Sequence, residues 1–199
     1  MSGIKPSQPE GDCFMSAQLS QSCLLIIDFQ NFFADKKSKG FVSKSEKIKP
    51  FLGKLTTFFI KQKRLVVATR HFNTENQNDP FFRFYGKVIK RESCYFQFSS
   101  PLSNLKNIEV VDKSSYSPFF NKDFERKLKE NRIKNIFITG LLLEKCVLAT
   151  SFDAFQRGYN VFVIKECVAS RNRKNEKVFF ELIEKSCGKV ISLMDFYNV

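Results

Sequence analysis

Cys146 is a reactive type of residue, and the sequence around it predicts a definite local structure. It ends the run GLLLEKC from Gly140 to Cys146, in which a short apolar strand leads through a turn into a helix. A thiol near a helix N-terminus has its thiolate stabilised by the helix dipole, and the unpaired N–H groups there can hold an oxyanion. The pattern predicts a nucleophilic cysteine, with a buried structural cysteine on the inner helix face as the alternative.

Asp28 and Lys113 each end an apolar run, so both are candidates to assist such a nucleophile. Burial raises the pKa of a carboxyl group and a nearby cation lowers it, a combination that lets Asp28 take a proton from a thiol and deliver it to a leaving amine. Lys113 could stabilise a thiolate and orient the aspartate. The alternatives are a helix N-cap for Asp28 and a solvated surface cation for Lys113.

His71 is the only histidine in the chain. A Cys–His pair is the usual first hypothesis for a thiol nucleophile. We rank contact with substrate first for His71 and the role of catalytic base second, and a loop histidine with all its hydrogen bonds satisfied is also open.

These residues must be positioned by short apolar runs that alternate with helix-compatible segments. Near-continuous apolar runs are typical of strands covered on both faces, and their alternation with helices indicates a parallel sheet. The predicted strands are Cys23–Ile27, Leu65–Thr69, Ile108–Val111, Ile136–Thr139, Val161–Ile164 and Val190–Leu193, and the predicted helices are approximately Lys44–Gln62, Asp123–Asn131, Glu144–Arg157 and Asn175–Cys187.

The predicted fold is therefore α/β: a three-layer α/β/α arrangement around a central, mainly parallel six-stranded sheet, Rossmann-like in type. Ligands bind beyond the carboxyl ends of the strands in such sheets. Asp28, His71, Lys113 and Cys146 follow or end four different strands, so the fold predicts that they meet at one edge.

Four segments carry a resemblance to a known family, and they occur in the family's order over roughly residues 22 to 193. The chain resembles the isochorismatase-like cysteine hydrolases, which include nicotinamidases, carbamoylsarcosine amidases and ureido-amide hydrolases. The segments are Leu24–Phe33, Thr69–Asn73, Asp112–Phe119, and Gly140–Cys146 with its continuation Thr150–Val161.

The resemblance implies the isochorismatase-like hydrolase fold and an Asp–Lys–Cys triad of Asp28, Lys113 and Cys146. It also implies a cis peptide bond at about Leu141–Leu142 and an oxyanion hole formed by the backbone N–H groups of Leu142 and Cys146. In the family, the thiolate attacks a carbonyl, an amine leaves, and water hydrolyses the thioester. The stretch from 72 to 98 corresponds to a segment that covers the active site, often beside a neighbouring subunit.

Four aromatic or polar residues are our candidates for the pocket wall. Aromatic walls with a few polar groups suit a small planar amide or acid. The predicted substrate-binding residues are Phe33, His71, Tyr116 and Phe152.

The sequence departs from the nicotinamidases, which carry several histidines that bind a metal. Here the matching stretch reads His71-Phe72-Asn73, and a single histidine cannot form a multi-histidine site. Asn73 and Glu75 could bind a hard cation only weakly. We therefore expect no metal and no cofactor, and we expect the substrate not to be nicotinamide.

Length and charge limit the domain organisation and the classes of partner that the chain could have. The 199 residues fit a partly ordered N-terminal tail over residues 1–20 and one hydrolase domain over 21–199. The net charge is +13, but the Lys and Arg residues are spread along the chain, and the densest clusters, Lys36–Lys39 and Arg171–Lys174, lie in loop-like contexts. A nucleic-acid partner is therefore not expected, although the charge could attract an anionic substrate.

The absence of a signal-like or bilayer-length apolar run predicts a cytoplasmic protein with no membrane partner and free thiols. The resemblance implies a homo-oligomer, a dimer or tetramer, that acts on a small molecule.

Three functions are compared. The first is hydrolysis of an amide or ureido C–N bond through the triad and a thioester. The second is hydrolysis of a vinyl ether, as by an isochorismatase proper, which depends on the aspartate and can proceed without the cysteine. The third is a catalytically silent binding protein that keeps the fold and uses its basic surface.

Overall fold

The computed structural model of the protein describes residues 19–86 and 88–198. Six strands lie in chain order at β1 Ser22–Ile27, β2 Leu65–His71, β3 Glu109–Lys113, β4 Asn135–Leu141, β5 Asn160–Ala169 and β6 Lys189–Ile191. The helices are α1 Asn31–Ala34, α2 Ser45–Lys61, α3 Pro80–Tyr85, α4 Lys122–Glu130, α5 Leu148–Gln156, α6 Glu176–Ser186 and α7 Leu193–Asn198.

The strands form one sheet in the order β3-β2-β1-β4-β5-β6, and every neighbouring pair is parallel. Apolar side chains alternate between its two faces, as they do along any strand. In β1, Leu24 and Ile26 pack on one side against α2 and α7, whereas Leu25 and Ile27 pack on the other side against α4, α5 and α6. The three-layer α/β/α prediction is confirmed.

The sheet order explains where a site can form. The chain passes outward from β1 through β2 to β3, and then returns to place β4 beside β1 before continuing to β5 and β6. The crevice between the carboxyl ends of β1 and β4 is therefore a switch point, where no crossover connection fills the space above the sheet. Asp28 follows β1 at this point and Cys146 follows β4.

Several element boundaries differ from the sequence prediction. β3 extends to Lys113, because it pairs with β2 in a register that sets Lys113 beside His71. β6 ends at Ile191, and Leu193, predicted as strand, begins α7. The short helices α1, α3 and α7 were not predicted, since four to six residues carry too little periodicity to separate a helix from a loop.

The predicted N-terminal tail lies outside the described residues apart from residues 19 and 20. Within 19–86 and 88–198, no helix is both long enough and apolar enough to cross a bilayer.

Gly140 allows β1 and β4 to approach each other at the switch point. Its φ is +103°, a conformation that other L residues rarely adopt, and it pairs with Ile27 across the two strands. A Cβ atom at this position would lie 2.0 Å from the backbone oxygen of Ile27. A side chain here would therefore have to move the backbone that leads to Asp28.

We expect Gly140→Ala to lower the free energy of unfolding by about 3 kcal/mol, because it adds a backbone clash to an unfavourable φ. Urea unfolding checks this. Gly158→Ala is the matched control, since Gly158 also has a positive φ, +84°, but nothing lies within 4 Å of its Cβ position. It should cost only about 1–2 kcal/mol. Equal losses in the two variants would contradict the clash.

Candidate active site

Asp28 and Lys113 form a buried ion pair at the carboxyl edge of the sheet. Lys113 Nζ donates to Asp28 Oδ2 at 2.6 Å, and the two side chains are 1% and 0% exposed. Thr69 Oγ1 donates to the other carboxylate oxygen at 2.6 Å and accepts from the Asp28 N–H at 3.1 Å. Asp28 has a φ of +48°, so its backbone is held in the left-handed region by these contacts.

Cys146 completes this cluster. Lys113 Nζ lies 3.7 Å from the sulfur, so the lysine contacts both the carboxylate and the thiol. The three residues named as a triad come from positions 28, 113 and 146, and the fold brings them into direct contact.

Burial and the neighbouring charges set the pKa of the Cys146 thiol. Burial raises the pKa of Cys146 to about 12; the charge of Lys113 acts to lower it and that of Asp28 to raise it. The Cys146 side chain is buried, and Lys113, the cation next to it, is already paired with Asp28. The resting group is therefore a neutral thiol that must lose its proton during attack.

Lys113 keeps its positive charge in the folded protein. Burial lowers its pKa, but the charges of Asp28 and Cys146 and its hydrogen bonds to both outweigh burial, and the net pKa is raised. The ammonium group also donates to the backbone oxygen of Ser115 at 3.0 Å. Lys113 is thus held as a cation with three acceptors around it.

The nucleophile turn has an unusual backbone. Leu141–Leu142 is a cis peptide bond, as the resemblance implies. Residues Leu143–Val147 form a wide π-helical turn in which the N–H groups of Lys145 and Val147 both donate to the Leu142 oxygen at 3.1 Å, and α5 continues from Leu148. The helix predicted to begin at about Glu144 is confirmed, with a widened first turn.

A cavity of about 380 Å³ opens beside Cys146, a size typical of small-molecule sites. Phe33, His71 and Tyr116, three of the four predicted substrate-binding residues, line it together with Leu142 and Cys146. The remaining lining residues are Phe32, Lys39, Asn73, Phe81, Tyr85, Val88, Ile89, Lys145 and Arg171. The segment from 72 to 98 thus contributes to the cavity wall, through α3 and the residues after it.

Phe152, the fourth predicted substrate-binding residue, is not among the residues that line the cavity. It packs in the hydrophobic cluster between the sheet and α5. Phe152 lies six positions after Cys146, which is more than one and a half helical turns, so the two side chains leave the helix on different sides. Helical spacing was the signal that could have excluded it.

Two residues that sequence reasoning missed position the site. Buried Gln30 accepts the His71 N–H at 2.7 Å and donates to the backbone oxygens of His71 and Phe96 at 3.0 and 2.9 Å. Tyr85, on α3, contacts the Tyr116 hydroxyl at 2.5 Å. A glutamine within the apolar run of the first motif was a signal for Gln30, whereas nothing in the local sequence distinguishes Tyr85.

His71 is a neutral side chain in the cavity wall. Burial lowers its pKa to about 4, and the charge of Lys113 acts in the same direction. Its side chain is 9% exposed, and Nδ1 has no hydrogen-bond partner in the described residues. A buried polar atom without a partner is costly, so this nitrogen is well placed to contact a ligand.

The depressed pKa of His71 predicts a pH dependence of stability. Between about pH 6.5 and 4 the unfolded chain binds a proton at His71 that the folded chain does not, so stability falls as pH is lowered through this window. The contribution is about 3 kcal/mol over the whole window. Urea unfolding of the wild type and of His71→Gln should show that the variant loses less stability between pH 7 and 4. Parallel pH profiles would contradict the prediction.

The residues at the position of the nicotinamidase metal site do not fit a metal. His71 offers one nitrogen, but the side-chain oxygen of Asn73 already accepts the Ile89 N–H at 2.9 Å. No group of three or more His, Cys, Asp or Glu side chains with metal-binding geometry occurs among residues 19–86 and 88–198.

Known proteins share both the sequence pattern and the fold. A family model described as the isochorismatase domain matches residues 22–195. Among curated relatives, the isochorismatase family protein PncA of Bacillus subtilis (strain 168) is 37% identical over 86 residues, 43% of this chain and 47% of that protein. Isochorismatase family protein 2A of Dictyostelium discoideum is 36% identical over 90 residues, 44% of each chain. The matches thus span about half the length of these relatives.

Two solved structures extend the likeness over the whole domain. A cysteine hydrolase from Pseudomonas syringae pv. phaseolicola 1448A superposes with a TM-score of 0.82 at 18% identity, covering 98% of this chain and 96% of that chain. An N-carbamoylsarcosine amidase from Thermoplasma acidophilum gives a TM-score of 0.74 at 23% identity, covering 85% and 96%. The family model covers most of the chain and the fold agrees with it throughout, so this protein belongs to the isochorismatase family.

Proposed function

We propose that this protein hydrolyses a C–N bond, amide or ureido, of a small molecule through Asp28, Lys113 and Cys146. One observation carries the proposal: a lysine ammonium contacts both a buried carboxylate at 2.6 Å and a thiol at 3.7 Å, at the edge of a 380 Å³ cavity. Two structural neighbours, a cysteine hydrolase and an N-carbamoylsarcosine amidase, support the same chemistry.

In the first half of the reaction, Asp28 takes the Cys146 proton while the sulfur attacks the substrate carbonyl carbon. The carbonyl oxygen becomes an oxyanion, held by the backbone N–H groups of Leu142 and Cys146, which both line the cavity. The tetrahedral intermediate then collapses. The C–N bond breaks, Asp28 returns the proton to the leaving nitrogen, and a thioester is left on Cys146.

In the second half, water attacks the thioester carbonyl and gives its proton to Asp28. Collapse of the second tetrahedral intermediate breaks the C–S bond, releases the acid, and returns the proton to the sulfur. Lys113 stays protonated throughout, because its pKa is raised by the partners around it. Its charge offsets the negative charge that moves between the sulfur and the carboxylate.

The raised pKa of Cys146 gives Asp28 a specific task. A neutral thiol is a poor nucleophile, so its proton must be removed as substrate binds. Asp28 is the carboxylate adjacent to this thiol, and it is held by Lys113 and Thr69 on its two oxygens. General-base catalysis by a positioned carboxylate fits this arrangement better than a preformed thiolate does.

The test is a screen of small primary amides and ureido compounds for ammonia release, followed by rapid acid quenching and mass spectrometry of the active reactions. An acyl adduct on the peptide that contains Cys146 supports the proposal, with the exposed Cys94 as the internal control. Turnover with no adduct under single-turnover conditions, together with full activity after removal of the thiol, would contradict it.

A further inference from the structure

Three cationic side chains from separate parts of the chain converge on the cavity. Lys39 comes from the loop after α1, Lys145 directly precedes the nucleophile, and Arg171 follows β5. Among the residues that the structure describes, no aspartate or glutamate lines the cavity. The proposed chemistry at Cys146 uses none of these three cations.

The three cations lack the partners that comparable cations have elsewhere in the fold. Lys44 pairs with Glu176 at 2.7 Å and Arg70 with Asp112 at 2.8 Å. In the described part of the chain, by contrast, Lys39, Lys145 and Arg171 form no ion pair with a carboxylate.

The side chains of Lys145 and Arg171 contact neutral groups. Lys145 Nζ donates to the Tyr85 hydroxyl at 2.9 Å and lies 4.6 Å from the centre of that ring. Arg171 Nη2 donates to the Gly40 backbone oxygen at 3.4 Å, which is a long hydrogen bond. Gly40 directly follows Lys39, so the guanidinium lies close to the Lys39 backbone. The charges of Lys145 and Arg171 are thereby held at the cavity by neutral partners.

Asp28 and Glu144, two carboxylates near the cavity, accept from other groups. The Asp28 carboxylate is already paired with the Lys113 ammonium group. Glu144 accepts the backbone N–H of Arg171 at 3.0 Å through one oxygen and does not line the cavity. A concave site with apolar walls and an excess of one charge focuses its field on a ligand of the opposite charge.

We propose that the substrate of the proposed hydrolase is a small amide that carries an anionic group, most suitably a carboxylate, bound by Lys39, Lys145 and Arg171. The inference rests on the proposed function for the position of the scissile bond. The aromatic residues Phe33, Phe81 and Tyr116 provide an apolar wall for the body of the molecule. The planar guanidinium of Arg171 suits a carboxylate, whose two oxygens it can engage together.

The test uses two reagents that differ mainly in charge. Iodoacetate and iodoacetamide both alkylate a thiolate, with formation of the S–C bond and release of iodide, but only iodoacetate is an anion. Alkylation is followed by mass spectrometry at about pH 8.5, where even a raised thiol pKa leaves some thiolate. The ratio of the iodoacetate rate to the iodoacetamide rate is measured at Cys146 and at exposed Cys94 in the same sample.

We expect the ratio at Cys146 to exceed the ratio at Cys94 by about tenfold or more at low salt, and to fall as salt is added. In the double variant Lys39→Met/Arg171→Met the ratio should fall towards that of Cys94. The matched control is Lys36→Met/Arg173→Met, which removes two exposed cations from the same two loops outside the cavity and should leave the ratio unchanged.

The outcomes separate this inference from the proposed function. Equal ratios at the two cysteines, with Cys146 still alkylated by both reagents, would overturn the anionic site and leave the nucleophile in place. An unchanged preference in the double variant would also overturn it. No alkylation of Cys146 by either reagent while Cys94 reacts would count against both the site and an accessible nucleophile.

Discussion

Replacing Cys146 by alanine is expected to lower kcat for amide hydrolysis by at least about 10⁴-fold, the scale of losses seen when a covalent nucleophile is removed. The thioester cannot form without the sulfur, and no other thiol of residues 19–86 and 88–198 lines the cavity. The measurement is ammonia release from the best amide of the substrate screen, at saturating concentration. Cys146 is 7% exposed, so thermal unfolding of the variant must be measured alongside to show that the fold is kept.

Cys94→Ala is the matched control, since it removes an exposed thiol outside the cavity and should retain full activity. Asp28→Asn completes the comparison. For C–N cleavage through a thioester, the cysteine and aspartate variants should both be inactive. If Cys146→Ala retained turnover of a vinyl ether while Asp28→Asn lost it, the reaction would be the acid-catalysed cleavage of an isochorismatase proper.

Replacing Lys113 by methionine is expected to lower the free energy of unfolding by about 3–5 kcal/mol, the cost of leaving one member of a buried ion pair without its partner. Asp28 is fully buried, and its carboxylate would keep the hydrogen bond from Thr69 but lose its ion pair with Lys113. Urea unfolding at pH 7 measures the loss. Activity should disappear in the same variant, because the ammonium that contacts the thiol is gone.

The double variant Asp28→Asn/Lys113→Met separates stability from catalysis. Removing both charges leaves no isolated ion, so it should recover much of the stability lost by Lys113→Met, while activity stays absent. A double variant as unstable as the sum of the two single variants would show that the pair is not coupled in the fold. Appreciable turnover by the double variant would contradict the catalytic role of the pair.

Much of this architecture follows from the sequence alone. Apolar runs that end in Asp28 and Lys113, together with the strand–turn–helix pattern at Cys146, were sufficient to predict a parallel sheet with these residues at one edge. The physical reason is general: parallel strands direct all their carboxyl ends to the same side, so strand order need not be known to predict the edge. The oligomeric state and the compartment stay predictions.

The tertiary structure decided the properties that depend on the surroundings of a side chain, such as its protonation and whether it reaches the cavity. The neutral state of the Cys146 thiol follows from burial and from the pairing of Lys113 with Asp28, neither of which is encoded near position 146. The exclusion of Phe152 from the cavity follows from the orientation of its helix.

The cationic residues of the cavity show most clearly the difference between what the sequence predicts and what the tertiary structure decides. In sequence, Lys39 and Arg171 belong to two loop clusters that resemble ordinary solvated surface. Their meeting at the cavity depends on how the loop after α1 and the loop after β5 fold over the sheet edge, where Arg171 reaches the Gly40 backbone. Sequence determined which residues could do chemistry at Cys146; contacts between segments far apart in the chain decided the protonation and charge of the site around it.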